Sequence, residues 1–351
     1  MQTEPIALRN ARLFPPGQTC LLTLSEDERS LFFPDVDLEN ALPCRALWID
    51  TARSRNGWES LLAGFSPSVV MTGWSTPRLP AALVGDEGSP LRYICHLTGS
   101  VRRVVPREFI ERGGLVSNWG GEISHSVAEH TLLLALAALR NLPAWRPYTA
   151  QPGRTLLDRS RFLATRSLQG RRVGIHGFGS VARRLLRLLA PFEVSCEVYS
   201  AGVAPDSIHR HGAEPAGSLP ALFRRSEVLF ECEALTPATV NSVTREMLSL
   251  LPEGAVFINV ARGALVDEAA LLDLARRGRL RVGLDVLRDE PVSPSSPFWE
   301  TPNVVLSPHI GGPTHDLYPR CGAFALDNIR RYLSGERPGG VVDLEVYDRT
   351  T

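Results

Sequence analysis

Short apolar runs alternate with helical or loop segments along the chain from residue 45 onward. Four early runs have the length and apolar content of buried strands: RALWID at 45–50, SVVMTG at 68–73, LRYICHL at 91–97 and GLVSN at 114–118. This alternation predicts a parallel sheet wound by helices. The first 44 residues show no clear period, so they are either strands or an irregular arm.

A second alternating block begins near residue 172, after a stretch at 127–142 that is apolar on nearly every face and predicts a helix packed on both sides. The Pro- and Arg-rich segment between them is interpreted as a connecting excursion. Strands are predicted in RRVGIHG, CEVYS, EVLFECE, AVFINVA, VGLDV and NVVLSPH. A helix begun by Asp267 and stopped by Gly278 lies among them. A helical stripe at 321–335 predicts a last helix that returns to the first block.

Length and composition restrict the class of protein. A chain of 351 residues predicts two domains. Its 38 basic residues balance 38 acidic ones, so nucleic acid is not an expected partner. The six scattered cysteines favour free thiols in a reducing compartment. The amino terminus lacks the apolar core of a signal peptide, and the run at 131–139 is too short to cross a bilayer. We therefore expect a cytoplasmic protein without a membrane partner.

The stretch GIHGFGSVA carries a glycine pattern typical of dinucleotide binding. Gly177 allows a tight turn, Gly179 lets a pyrophosphate approach the backbone, and Ala182 permits close packing of helix on strand. The loop and helix amides would then face the phosphates, so the predicted cofactor ligands here are Gly177, Phe178, Gly179, Ser180 and Val181. Glycine turns are also common structural devices, but the flanking strand and helix favour cofactor binding.

The choice between NAD and NADP is left open by the next predicted strand. An acid that binds the ribose hydroxyls is expected at the end of this strand, but CEVYS ends in Ser200. The nearest arginine candidate for a 2′-phosphate is Arg210, between His209 and His211. These two histidines could form half a metal site, but a solvated loop is favoured and no metal is expected.

Three polar residues each follow a predicted strand, at the edge where open α/β sheets carry their ligands. Arg262 offers a planar fork that can grip a carboxylate and polarise the neighbouring carbonyl. His309 can give a proton to that carbonyl as hydride arrives, and Glu290 can hold the imidazole and favour its protonated form. Asp285 could orient a nicotinamide amide.

Each of these residues also has an ordinary structural interpretation. Arg262 could cap a helix or pair with Asp267, Glu290 could be a solvated loop acid, and His309 a satisfied histidine. Their order after the glycine loop favours the catalytic interpretation. Together they predict the reduction of a ketone beside a carboxylate.

The segments GRRVGIHGFGSVA, ALTPATVNSV, LLPEGAVFINVARGALVDEAAL, GLDVLRDEP and PNVVLSPHIGG resemble the successive motifs of the D-isomer-specific 2-hydroxyacid dehydrogenases. The resemblance runs from about residue 91 to 335. It implies an α/β fold of two Rossmann-like or flavodoxin-like domains with parallel sheets. A dinucleotide-binding domain at 121–314 would be inserted into a substrate domain at 1–120 and 315–351, and the protein would form a homodimer.

The same resemblance implies site residues. Arg262, Glu290 and His309 would be the catalytic set, and Glu290 argues against the related formate dehydrogenases, which use glutamine there. The loop LTGSV would bind the substrate, with Arg262, through Gly99, Ser100 and Val101. Further expected cofactor ligands are Ser200, Cys232, Thr236, Val260, Ala261, Asp285 and Gly311. Val101, Ser200, Cys232 and Glu233 depart from the family pattern.

The predicted function is hydride transfer between NAD or NADP and a small 2-hydroxy or 2-oxo acid, with reduction of the 2-oxo acid as the expected direction. One alternative is a dinucleotide-sensing interaction protein, like the C-terminal-binding-protein corepressors of this fold, with little turnover. Another is a reductase for an unusual acid, such as a phosphonate or sugar acid. Trp74, Trp119 and Trp299 would shape the pocket of such a reductase or else belong to the core.

Overall fold

A computed structural model describes residues 18–53, 58–81, 83, 88–150 and 155–349. Contacts divide the chain into two compact units, residues 1–120 with 315–348 (unit 1) and residues 121–314 with 349–351 (unit 2). Each unit holds one sheet of parallel strands covered by helices. The predicted fold class, α/β with two parallel sheets, is confirmed.

Unit 1 contains a five-stranded parallel sheet in the order β2-β1-β3-β4-β5. Its strands are β1 (Thr19–Leu24), β2 (Arg45–Asp50), β3 (Val69–Thr72), β4 (Tyr93–His96) and β5 (Leu115–Ser117). Its helices are Glu26–Phe32, Trp58–Phe65, Arg107–Glu111, Tyr318–Leu333 and Leu344–Arg349. The last residue of the last helix is counted with unit 2. This strand order is the flavodoxin-like one.

For residues 19–24, the first strand decides between the two interpretations of the amino-terminal segment in favour of a strand. β1 lies between β2 and β3, and its residues from Cys20 to Leu24 are all buried. A helix follows at once because Ser25 and Glu28 form a capping box, in which each side chain accepts a hydrogen bond from the other residue's backbone N–H. The segment from residue 18 is therefore part of the core of unit 1.

Unit 2 contains a seven-stranded parallel sheet in the order β12-β11-β10-β9-β6-β7-β8. Its strands are β6 (Arg172–His176), β7 (Ser195–Tyr199), β8 (Glu214–Pro215), β9 (Val228–Glu231), β10 (Ala255–Asn259), β11 (Leu280–Leu284) and β12 (Val304–Leu306). The order reverses beside β6, as in Rossmann folds, where ligands bind at the carboxyl ends of the strands flanking the reversal.

Helices cover both faces of this sheet around two apolar clusters. They are Ser124–Leu139, Trp145–Thr149, Leu156–Leu163, Ser180–Leu189, Pro205–His209, Leu219–Arg225, Arg245–Leu250 and Glu268–Arg276, with 3-10 turns at Leu142–Ala144, Ala190–Phe192 and Gly263–Leu265. The segment interpreted as an excursion is thus partly helical. None of the helices in the described part of the chain has the length and apolar character needed to cross a bilayer.

The helix predicted at 127–142 runs from Ser124 to Leu139. It packs on the helix Ser180–Leu189 and on β10, β11 and β12. Within unit 2 its packing is not complete, because Leu133 on its outer face is 56% exposed. The last predicted helix, Tyr318–Leu333, packs on β4 and the helix Glu26–Phe32 of unit 1, as expected.

Candidate active site

The glycine turn after β6 requires glycine at its first position. Gly177 has a φ of +98°, a conformation that residues with a side chain rarely adopt. A Cβ there would lie 2.6 Å from backbone atoms of Cys232 and Glu233. The Gly177 N–H donates to the carbonyl of Tyr199 at 2.8 Å. The turn therefore brings the ends of β6, β7 and β9 together at one edge of the sheet.

The second glycine leaves space where a ligand could approach. A Cβ on Gly179 would meet no atom within 4 Å, and no described side chain caps the helix Ser180–Leu189 that begins after it. Ala182 is fully buried, so the helix packs closely on the sheet. The amides of the first helical turn, including Ser180 and Val181, are thus available to an anion, which fits the pyrophosphate of a dinucleotide.

Ser200 after β7 has a carboxylate beside it. Its hydroxyl donates to Oε2 of Glu233 at 2.8 Å, and both residues are half-buried. β7 is followed by Ser200 and not by an acid, as the sequence shows, but the folded chain places a carboxylate at this edge, since Glu233 reaches it from the loop after β9. Sequence alone reveals Glu233 only as a departure from the family pattern, because the two residues are 33 positions apart.

Arg262 lies in a turn after β10 that is organised by Asn259. The Asn259 side chain accepts the Ala261 N–H at 3.0 Å and donates to the Arg262 carbonyl at 3.0 Å. A Cβ on Gly263 would lie 2.1 Å from the backbone N of Arg288, so only glycine lets this turn pack on the loop after β11. That contact brings the turn to the loop that carries Glu290.

Glu290 and His309 form the acid–base pair that the sequence predicts. Oε2 of Glu290 lies 2.6 Å from Nδ1 of His309, and Oε1 accepts the Leu287 N–H at 3.0 Å. With Nδ1 donating to the carboxylate, Nε2 is the ring nitrogen that can exchange a proton with a substrate. The His309 side chain is 46% exposed, and its backbone has a φ of +54°, an unusual conformation for a residue with a side chain.

Arg262 lies near this pair. Burial lowers the pKa of the Arg262 guanidinium, and the negative charge of Glu290 acts in the opposite direction. The Asp267 side chain caps its own helix by accepting the Ala270 N–H at 2.9 Å. The structure thus brings Glu290 and His309 into contact, and Arg262, whose Nη1 donates to the Ala261 carbonyl at 2.6 Å, is close enough to Glu290 for their charges to interact.

Asp285 holds the loop that carries His309. Its Oδ1 accepts the Ser307 hydroxyl at 2.7 Å and the Ile310 N–H at 2.9 Å, and its Oδ2 accepts the Gly311 N–H at 2.9 Å. The ring of His130 approaches Oδ1 at 3.2 Å. Burial alone would raise the pKa of Asp285, but these hydrogen bonds outweigh it and lower the pKa to about 2. A contact of Asp285 or Gly311 with a cofactor stays a prediction.

The remaining predicted cofactor residues lie on the same edge of unit 2. Cys232 donates its N–H to the carbonyl of His176 at 2.8 Å. Thr236 starts a turn in which its N–H donates to the Thr239 hydroxyl at 2.7 Å. Val260 and Ala261 directly follow β10. Their contacts with a cofactor stay predictions.

The predicted substrate loop belongs to unit 1 and follows β4. The Asn118 amide donates to the Gly99 carbonyl at 2.6 Å, and a Cβ on Gly99 would lie 2.9 Å from Nε1 of Trp119. Val101 is fully buried. A contact of the Val101 amide with a substrate therefore stays a prediction.

The three tryptophans considered for the pocket are not core residues. Trp74 is 43% exposed and packs edge-on against the half-buried Trp119, with ring centroids 6.3 Å apart. Trp299 is 49% exposed in unit 2.

The two histidines considered for a metal site contact other partners: His209 lies 3.3 Å from Glu214, and His211 bonds the Ser207 carbonyl. The described residues include no cluster of three or more side chains suited to a metal ion.

Fold and site together define a two-domain α/β protein with a dinucleotide-binding edge. Residues 132–311 match the family model of the D-isomer specific 2-hydroxyacid dehydrogenase, NAD binding domain. The chain belongs to this family. Nicotinamide dinucleotide is the cofactor class of the matched domain.

Individual relatives agree with this assignment. The chain is 35% identical over 243 residues to a D-3-phosphoglycerate dehydrogenase of Mycobacterium tuberculosis, covering 67% of this chain and 45% of that protein. It is 28% identical over 267 residues to a glyoxylate reductase of Thermococcus kodakarensis, covering 75% and 80%. A glyoxylate reductase structure from Paecilomyes thermophila has the same fold, with a TM-score of 0.75 at 21% identity over 93% of this chain and 99% of the other. The chain spans about half the length of the phosphoglycerate dehydrogenases that it matches.

Proposed function

We propose that the protein is an NAD(P)-dependent D-2-hydroxyacid dehydrogenase that works as a 2-oxoacid reductase. The observation that carries this proposal is the 2.6 Å contact between Glu290 and His309 beside Arg262. Phosphoglycerate dehydrogenase and glyoxylate reductase activities, named for the relatives, share the reacting group of a 2-hydroxy acid. The substrate here is therefore a small 2-oxo or 2-hydroxy acid.

Arg262 orients the substrate in this mechanism. Its guanidinium can bind a carboxylate through two parallel hydrogen bonds, which fixes the plane of the neighbouring carbonyl. Partial burial strengthens this contact, because a charge interaction at a given distance is stronger where water is excluded and the dielectric constant is lower. The amides of Ser100 and Val101, with Gly99 in the same loop, are proposed as further carboxylate ligands by resemblance.

His309 supplies the proton. A nicotinamide dinucleotide, when bound, supplies the hydride that reaches the carbonyl carbon of the substrate. As the C–H bond forms, the π electrons of the carbonyl move to its oxygen, and Nε2 of His309 gives that oxygen a proton, so the product is a neutral hydroxyl. Glu290 stabilises the protonated ring through Nδ1 and holds its orientation. In the reverse direction, His309 accepts the hydroxyl proton.

Residues 121–314 are proposed as the dinucleotide domain, and residues 1–120 with 315–351 as the substrate domain. The predicted ligands of the dinucleotide are those at the glycine turn and after the ends of β7, β9, β10, β11 and β12. By the same resemblance we infer a homodimer, which light scattering of the purified protein would test. The balanced charge supports an enzyme that does not bind nucleic acid, and the six free cysteines support a cytoplasmic location.

Replacement of the acid–base residue tests the proposal. His309→Ala should lower kcat for a 2-oxoacid by roughly 10² to 10⁴, the usual contribution of a positioned acid or base. Turnover is followed by loss of the reduced nicotinamide absorbance across a panel of 2-oxoacids. His209→Ala is the matched control, since His209 is exposed on a surface helix, and should retain wild-type turnover.

A wild-type protein that binds a dinucleotide but turns over no member of the panel would contradict the proposal. It would favour the dinucleotide-sensing alternative, for which the comparisons provide no support. Near-normal turnover of His309→Ala would refute the assignment of the proton donor.

A further inference from the structure

We propose that Glu233, held in place by Ser200, binds the ribose hydroxyls of the adenosine half of the cofactor and makes the protein select NAD over NADP. This inference rests on the proposed dinucleotide function and deepens it. The acid expected directly after β7 is supplied instead by the loop after β9.

Strand order brings the two residues to the same place. β6 pairs with β7 on one side and with β9 on the other. Ser200 directly follows β7, and Glu233 lies two residues beyond β9, so both reach the carboxyl edge beside the glycine turn. A Cβ on Gly177 would touch the backbone N of Glu233 at 2.6 Å. The carboxylate therefore belongs to a loop that is packed against the phosphate-binding turn.

Three hydrogen bonds fix the position of Glu233. Oε2 accepts the Ser200 hydroxyl at 2.8 Å, and Oε1 accepts the Ala234 N–H at 2.9 Å. The Glu233 backbone N–H donates to Oε1 of Glu231 at 2.9 Å. A carboxylate has about four lone-pair positions, so two stay available after these contacts. That is the number needed to accept hydrogen bonds from the two hydroxyls of a ribose.

Glu231 is a positioning residue beneath this loop. It is fully buried, and its Oε2 lies 2.7 Å from Nδ1 of the buried His176 at the end of β6. Burial by itself would lower the pKa of His176, but the carboxylate of Glu231, with a smaller contribution from Glu233, outweighs it and raises the pKa. The pair anchors the loop after β9 to the strand that leads into the glycine turn.

The charge at this edge opposes NADP. Within the described part of the chain, the Glu233 carboxylate forms no ion pair with an arginine or histidine. Arg210, the arginine nearest to Ser200 in the following sequence, directs its Nε to the Asp206 carbonyl of its own helix at 3.2 Å. A 2′-phosphate placed against the Glu233 carboxylate would meet like charge, which is costly at a partly buried site.

Binding measurements without catalysis test the inference. Fluorescence titration would give the dissociation constants of NADH and NADPH for the wild type, Glu233→Gln, Ser200→Ala and Glu193→Gln. Glu193→Gln is the matched control, because Glu193 is exposed at the opposite end of β7 and loses the same charge. Competition by ADP and by 2′,5′-ADP would isolate the adenosine half. The unfolding temperature of each unliganded variant shows that it is folded.

The wild type should bind NADH at least tenfold more tightly than NADPH, and ADP more tightly than 2′,5′-ADP. Glu233→Gln should reduce this ratio about tenfold, as expected for one lost hydrogen bond to a charged group. Ser200→Ala should reduce it less, and Glu193→Gln should leave it unchanged. Equal wild-type affinities, or a ratio unaffected by Glu233→Gln, would overturn the inference alone. Failure of the folded wild type to bind either dinucleotide would overturn the proposed function and this inference with it.

Discussion

Asp285→Asn should weaken both the stability of unit 2 and catalysis, although Asp285 is not placed in the catalytic set. The carboxylate is buried and accepts hydrogen bonds from Ser307, Ile310 and Gly311. Asparagine has the same shape, but its amide nitrogen is a donor and cannot accept any of them. In either orientation of the asparagine amide, its NH₂ group would face the donors that now bond to Oδ1 or the donor that now bonds to Oδ2. Buried polar groups would then be left unsatisfied.

The magnitude follows from the pKa of Asp285. Folding lowers it from the ordinary value of 3.8 to about 2. A difference of about two pH units corresponds to about 2 kcal/mol of stability at neutral pH. Because the folded pKa is the lower one, this contribution is present above the unfolded value and is lost as pH falls through about 2. The difference between wild type and variant should therefore be constant near neutrality and shrink below pH ~4.

Thermal unfolding of the full chain measures this effect. A loss of about 2 kcal/mol should lower the Tm of the affected transition by roughly 4 to 8 °C for a unit of this size. The kcat should fall as well, since the loop that Asp285 holds carries His309. Asp273→Asn is the matched control: hydrogen bonds from Arg245 and Arg277 lower the pKa of Asp273 too, but on the exposed surface. Its Tm should change little. Equal Tm values for wild type and Asp285→Asn at pH 7 would refute the reasoning.

Two further predictions concern the glycine turn and the pair beneath it. Gly179→Ala should weaken dinucleotide binding in fluorescence titrations without lowering the Tm, because its Cβ would enter open space. Gly177→Ala should weaken binding and also lower the Tm, because its Cβ would lie 2.6 Å from backbone atoms. Equal Tm values for the two variants would contradict this difference. Glu231→Leu should cost about 3 to 5 kcal/mol in urea unfolding, because it leaves the buried His176 without its partner. The double variant His176→Leu, Glu231→Leu should recover most of that loss, and a double variant as unstable as Glu231→Leu would exclude a specific pairing.

Much of the fold could be predicted from the sequence because each buried parallel strand is a short apolar run between loop signals. The runs that predicted β2 to β7 and β9 to β12 all form strands. The position of β1 was not predicted, because the segment before residue 45 mixes polar and apolar residues without a period. Its place between β2 and β3 depends on pairings with residues more than 20 positions away, which no local pattern encodes.

The positions of the proposed catalytic residues were predictable for a related reason. Arg262, Glu290 and His309 each follow a predicted strand, and parallel strands align their carboxyl ends. The contact of Glu233 with Ser200 was not predictable in this way, because the acid was expected after β7 and a contact across the sheet depends on strand order. Likewise, the sequence predicts Asp285 as a cofactor ligand. Its support of the loop 307–311 is visible only in the structure, through three hydrogen bonds.

Three buried polar residues at the carboxyl edge of the sheet share one task. Glu231 ends β9, Asn259 ends β10 directly opposite it, and Asp285 follows the end of β11. Each has an exposed fraction of 3% or less.

Each of these residues uses a side-chain oxygen to accept a backbone N–H of the loop that carries a proposed functional residue: Glu233, Arg262 and His309, respectively. Burying such groups is unfavourable unless every one is satisfied, so apolar residues there would be easier to accommodate. A polar row retained at three adjacent strand ends is explained by the need to hold three loops rigidly. Substitutions in this row should therefore impair the site through the loops that it holds.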